Sequence, residues 1–182
     1  MASNSRENSP SFRTGRYVVV DVETSGLFPQ RGARIVEIGA VAIEHGRIIG
    51  EISSLINCGV KVSKHIQKIH GITDEMLQGQ PAPEEMFPEF LRFVGAGTLV
   101  AHNLRFERRF LRYELSRLGI GFNSNGVCTL KLSKKLFPRL PNYRLETVAR
   151  HLLGELPDGV RLHRALDDAK VTAMMWMEMI KR

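Results

Sequence analysis

Apolar and polar positions divide the chain into runs with period two or no period at all, and runs with a period near 3.6. From Tyr17 the run YVVVDVET is β-branched and almost continuous, the pattern of a strand buried on both faces, and Gly26 ends it. RIVEIGAVAIE and IIGEISSLIN follow as two more strand patterns around a short turn at His45-Gly46-Arg47, so the first third of the chain predicts a three-stranded meander. Between Val60 and Val94 the clusters KHIQKIHGITDEML and PEEMFPEFLRFV predict two short helices, with Pro88 interrupting or starting the second. TLVAHN, residues 98–103, is again a buried-strand pattern. A helical period then runs from Leu104 to Leu118 and stops at Gly119. A short last strand is expected over Val127–Leu130, followed by helices at about 130–137, 143–153 and 163–181. A meander followed by alternating strands and helices predicts an α/β fold with a mixed sheet covered on both faces.

Length and composition sharpen this picture. The chain has 182 residues, enough for one domain, and its 43% apolar and 25% charged residues exclude collagen, a disordered chain and a disulfide scaffold. Residues 1–15, MASNSRENSPSFRTG, hold almost nothing apolar and read as a disordered leader before a single domain over 16–182. Cys58 and Cys128 lack metal-site spacing and read as reduced core thiols. No apolar run approaches a membrane span and no export signal is visible, so a cytoplasmic protein without membrane contact is expected. The formal charge of +7 is compatible with a polyanionic partner and equally with plain solubility.

Three places resist a purely structural reading. Asp21 and Glu23 interrupt a run of valines, and an unpaired carboxylate is strongly unfavourable inside such a strand. Positions i and i+2 share one face, so the two acids can meet the same divalent ion; alternatively the strand stops at Val20 and both are solvated. On the helix after TLVAHN, Glu107 falls within the apolar face made by Leu104, Phe110, Leu111, Leu115 and Leu118, while Arg105, Arg108, Arg109 and Arg112 lie opposite. Glu114 shares that apolar face, which keeps an ordinary buried hydrogen bond open for either acid. In HRALDDAK the helical projection turns Asp168 inward with Ala165, Ala169, Thr172, Met175, Trp176 and Met179, and turns Asp167 outward. A lone histidine at a helix start is usually structural, but His163 precedes Asp168 by just over one turn, near enough to act on a metal-bound water.

VDVETSGL, AHNLRFERRFL and HRALDDA, in this order, resemble the three exonuclease motifs of the DnaQ-like DEDDh 3′-5′ exonucleases, the family of the proofreading ε subunit of bacterial DNA polymerase III. IVEIGAV and IHGITDEML are similar to the family's second strand and the loop after it. The resemblance covers about Tyr17 to Met179. It implies a ribonuclease-H-like fold with a five-stranded mixed sheet flanked by helices. It also implies hydrolysis of the terminal phosphodiester with two divalent ions, Mg²⁺ or Mn²⁺, releasing nucleoside 5′-monophosphates from single-stranded DNA or RNA ends in proofreading or repair. By motif, Asp21, Glu23, Glu107 and Asp168 are the metal ligands, with Asp21 bridging, and His163 takes a proton from the attacking water. Thr24, Ser25 and Gly26 cradle the terminal nucleotide, Leu27 wedges against its base, and His102 and Asn103 position the strand. Glu107 departs from the family's usual Asp, and its additional methylene moves the carboxylate by more than an ångström. Together with the arginine stripe, that departure supports an alternative, a catalytically weak nucleic-acid-binding module recruited to a polymerase or repair complex. The sequence stops at Arg182, just after the third motif, which favours a free-standing exonuclease over a tightly held replicase subunit.

Overall fold

The structure is a computed structural model, and it describes residues 15–181. The expected leader therefore lies outside the described residues, Gly15 excepted.

Five strands, β1 (Tyr17–Thr24), β2 (Ile35–Glu44), β3 (Arg47–Leu55), β4 (Thr98–Ala101) and β5 (Gly126–Cys128), form one sheet in the order β3-β2-β1-β4-β5. β1 pairs antiparallel with β2 and parallel with β4, and β2–β3 is antiparallel while β4–β5 is parallel. The sheet is mixed, as the patterning predicts.

Side chains alternate across β1. Val18, Val20 and Val22 join one core with α3 (Pro83–Val94) and α4 (Leu104–Arg117), contributed by Met86, Phe87, Phe90, Phe110, Leu111 and Leu115. Tyr17 and Val19 join the opposite core, against α6 (Leu145–Leu153) and α7 (Ala165–Met179), contributed by Val148, Ala149, Val171, Met175 and Trp176. Asp21 and Glu23 continue the face of Tyr17 and Val19, toward α7.

Two details here differ from the pattern reading, besides β5, which ends at Cys128 rather than Leu130. KHIQKIHGITDEML forms two helices, α1 (Lys64–His70) and α2 (Asp74–Leu77), because Gly71 takes the left-handed conformation, φ +76°, and its N–H caps Gln67. Pro88 lies inside α3, whose first residue is Pro83. An internal proline costs about 3 kcal/mol, less than the burial of Met86, Phe87, Phe90 and Val94 at about 1.5–3 kcal/mol each. A further short helix, α5 (Thr129–Leu136), follows β5.

Parallel pairing between β1 and β4 runs only from Tyr17↔Thr98 to Val19↔Val100. Beyond it β4 ends, the chain turns into α4, and β1 runs on past its parallel partner to Asp21 and Glu23, at the C-terminal ends of the strands, where α/β sheets place the crevice that holds their sites. On the other side Asp21 is paired with Gly39, where any Cβ would lie 2.3 Å from the Leu166 amide nitrogen and 2.4 Å from the Ala165 carbonyl carbon. The start of α7 thus rests directly on β2. Because both opposing groups are backbone, Gly39→Ala is expected to destabilise the fold by about 1–3 kcal/mol. That is a Tm loss of about 2–4 °C per kcal/mol by thermal unfolding.

Candidate active site

Two separated stretches of chain, β1 and the segment entering α7, meet at the crevice. Glu23 near the end of β1, His163 before α7 and Asp168 in its first turn offer ligand atoms that all lie within 4.8 Å of one another. Asp21 and Glu107 are not part of this trio. Asp21 is electrostatically linked to both, since Glu107, then Asp168, then Glu23 act on its charge. Glu107 is 4% exposed, one turn into α4.

The electrostatics are those of carboxylates crowded without enough positive charge. Burial, and then the charges of Glu107, Asp168, Glu23 and Glu37, hold the Asp21 carboxyl well above the usual range. Glu23 rises to about 8 through burial and the charges of Asp168 and Glu37, with Arg164 opposing. Burial lifts Glu107 to about 8, and it lifts Asp168 to about 6 despite the hydrogen bond from the His163 amide. Oε2 of Glu107 and Oδ1 of Asp168 are buried with no hydrogen-bond partner. Oxygens left so, in a cluster short of cations, suit hard divalent ions bound through oxygen.

The same helix face shows what an ordinary buried acid looks like. Glu114 receives Nε and Nη2 of Arg34 at 2.7–3.0 Å and the Ile35 amide at 3.1 Å, so its charge is fully matched within the fold. Glu107 has no such partner among the described residues.

His163 is exposed and not helical. Its φ is +66°, Arg164 after it is extended, and the helix begins at Ala165 rather than 163. The cause is Glu37, which the sequence reading passed over. Its carboxylate, 3% exposed, receives three hydrogen bonds from the Arg164 guanidinium at 2.6–3.2 Å and the Ala165 amide at 3.0 Å. An acceptor on β2 therefore caps α7. Asp168 Oδ2 accepts from the His163 amide at 3.1 Å, which leaves Oδ1 for the crevice.

The residues expected to hold the terminal nucleotide lie beyond Glu23. Thr24 Oγ1 donates to the Gly26 carbonyl at 2.7 Å, and Ser25 is tied to Arg34 by two hydrogen bonds. Leu27 is 61% exposed at a cleft of about 280 Å³ shared with Phe28, Arg31 and Lys61. Arg109, one of the arginine stripe, donates to the Leu27 carbonyl at 2.7 Å and lies over the rings of Phe28, Phe106 and Phe110. His102 is buried with both ring nitrogens engaged, Nε2 donating to the Tyr143 carbonyl at 2.8 Å and Nδ1 accepting from Thr129 Oγ1 at 3.0 Å. It ties β4 to the α5–α6 segment, while Asn103 stands at the N-cap position of α4 with its side chain exposed and making no capping bond. On the side of His163 and Asp168 a groove of about 760 Å³ runs past Asn103, Lys134, Tyr143 and Arg144.

Known proteins are similar to this chain over most of its length. An exonuclease family model of the RNase T type matches residues 18–175. The chain is 40% identical over 173 residues to the PolC-type DNA polymerase III of Thermotoga petrophila, covering 94% of this chain and 12% of that protein. It is 38% identical over 168 residues to the DNA polymerase III subunit epsilon of Aquifex aeolicus, covering 92% and 81%. Among solved structures, Exonuclease X in complex with 5′ overhanging duplex DNA superposes with a TM-score of 0.73 at 30% identity, covering 91% of each chain. The chain thus spans about an eighth of the PolC-type relatives it matches, and most of the epsilon relative.

Proposed function

The chain belongs to the exonuclease family, and on that premise we propose that it is a metal-dependent 3′-5′ exonuclease that trims single-stranded ends to nucleoside 5′-monophosphates. The observation that carries this reading is the meeting of Glu23, His163 and Asp168 beside Asp21 and Glu107, with buried carboxylate oxygens left unmatched.

Asp21, Glu23 and Asp168 would hold one divalent ion, and Asp21 with Glu107 a second. Such a pair of ions, when bound, stabilises charge on the attacking and leaving oxygens of a phosphodiester. His163, exposed and next to Asp168, takes the proton of the attacking water. The loop from Thr24 to Leu27 orients the terminal nucleotide, with the exposed Leu27 against the base. The Lys134 and Arg144 groove offers positive charge to the phosphates of the remaining strand, and contacts to phosphates carry no sequence preference. The name of the epsilon relative, a DNA polymerase III subunit, supports DNA ends beside a polymerase, and the motif resemblance to the proofreading ε subunit supports that role here. Among the described residues no helix is long and apolar enough to cross a membrane.

The test uses the purified chain with 3′-labelled and 5′-labelled oligonucleotides and Mn²⁺. The 3′ label is expected to appear at once as mononucleotide, while the 5′ label passes through a descending ladder; EDTA stops both. A folded protein that binds single strands in a salt-sensitive way yet releases no mononucleotide would instead be the weak binding module. Matched DNA and RNA oligonucleotides then rank the two substrates.

A further inference from the structure

Glu23 and Glu37 are directly opposite in the β1–β2 register, on the same face of the sheet. Like charges so placed repel, and a fold without a use for both would replace one of them. Here they are divided. Glu37 is saturated by Arg164 and the Ala165 amide, whereas Glu23 remains for the crevice beside His163.

The Arg164 fork arrives from the residue directly after His163. His163 holds a left-handed backbone, φ +66°, which is unfavourable for a non-glycine residue and persists only where the surroundings enforce it. Enforcement comes from both flanks. On one, Glu37 fixes Arg164 and Ala165, and the bare Cα of Gly39 lets Ala165 and Leu166 sit on β2. On the other, Asp168 Oδ2 holds the His163 amide. We infer that Glu37 and Arg164 are positioning residues, an ion pair that locks the strained turn so that the exposed imidazole is presented beside Glu23 and Asp168. A lysine cannot replace this arginine, because only a planar guanidinium spans both carboxylate oxygens.

This inference rests on the hydrolytic reading of the site. Its test pairs Arg164→Lys with His163→Ala, alone and combined, in the full chain. Arg164 is partly exposed, with 28% of its side chain accessible, so the lysine variant folds even if Glu37→Gln does not. Arg164→Lys is expected to lower kcat about 10- to 100-fold, the cost of a misplaced catalytic group, with KM changed less than about twofold. In the His163→Ala background it should cost less than about twofold, since there is no imidazole left to position. The imidazole NMR signals of His163 in the metal-free protein should move toward those of a free histidine. Equal losses in both backgrounds, or unchanged kcat with unchanged imidazole signals, would overturn the inference. If the parent releases no nucleotide, or His163→Ala is as active as the parent, the hydrolytic reading fails, and the imidazole signals still decide whether Arg164 sets the ring.

Discussion

Asp21→Asn is expected to abolish hydrolysis, by about 10³-fold or more, the order that loss of one preorganised electrostatic group costs, while making the metal-free protein more stable. Both effects have one origin. Asp21 is the carboxylate on which Glu107, Asp168 and Glu23 all act, so it is where a shared cation is most needed and where, without one, repulsion is greatest. Removing its charge relieves the native state and removes the ligand. The pH dependence follows in sign. Asp21, Glu23, Glu107 and Asp168 have native-state pKa values above their unfolded ones, so the folded chain holds protons that the unfolded chain gives up. Their stabilisation is complete below pH 4 and is lost as pH rises through about 6 for Asp168 and about 8 for Glu23 and Glu107. Thermal unfolding in EDTA should therefore show the parent Tm falling from pH 5 to pH 8.5. At the upper end Asp21→Asn should lie above the parent by about 3 °C or more, the shift that 1 kcal/mol makes in a chain of this size. Divalent ion at 100 times its Kd adds about 2.7 kcal/mol to the parent, or about 5–10 °C, and much less to the variant. A variant less stable than the parent in EDTA at pH 8.5 would contradict the crowded-carboxylate account.

Glu107→Gln should lower the rate by about 10²-fold with little change in substrate affinity, and Glu107→Asp should cost at least about tenfold. Glutamine keeps the volume at a position that is 4% exposed and removes only the charge that acts on Asp21. Aspartate keeps the charge but withdraws it toward α4, away from the acids on β1 and α7. The family's usual aspartate is thus expected to be the poorer residue here, because Glu107 already stands close enough to be the leading charge on Asp21. Single-turnover rates on a 3′-labelled strand decide this: a glutamine variant as fast as the parent would place the glutamate carboxylate outside the reaction, and an aspartate variant as fast as the parent would show that the additional methylene is not needed.

The acids became legible from sequence where periodicity collided with charge. Asp21 and Glu23 were marked by a valine run, and Asp168 was separated from Asp167 by rotation about a helix. Rotation alone did not separate Glu107 from Glu114, because the partner that satisfies Glu114 is Arg34, eighty residues away in sequence and visible only after folding. Glu37 carried the same signal as Asp21, a carboxylate inside IVEIGAV, and the test applied to one strand would have caught it on the next. The left-handed turn at His163 had no local signature, since it is imposed by Glu37 on β2 and by the close approach at Gly39. His102 stood in the right motif, yet its ring is spent joining β4 to later segments.

Arg109 joins two things that a nuclease of this kind would otherwise have to align separately. The helix that carries Glu107 also grips the carbonyl of Leu27, with three phenyl rings packed around the guanidinium. The loop after β1 and the helix bearing Glu107 are therefore clamped into one packed unit, and freeing the Arg109 side chain is expected to loosen both together.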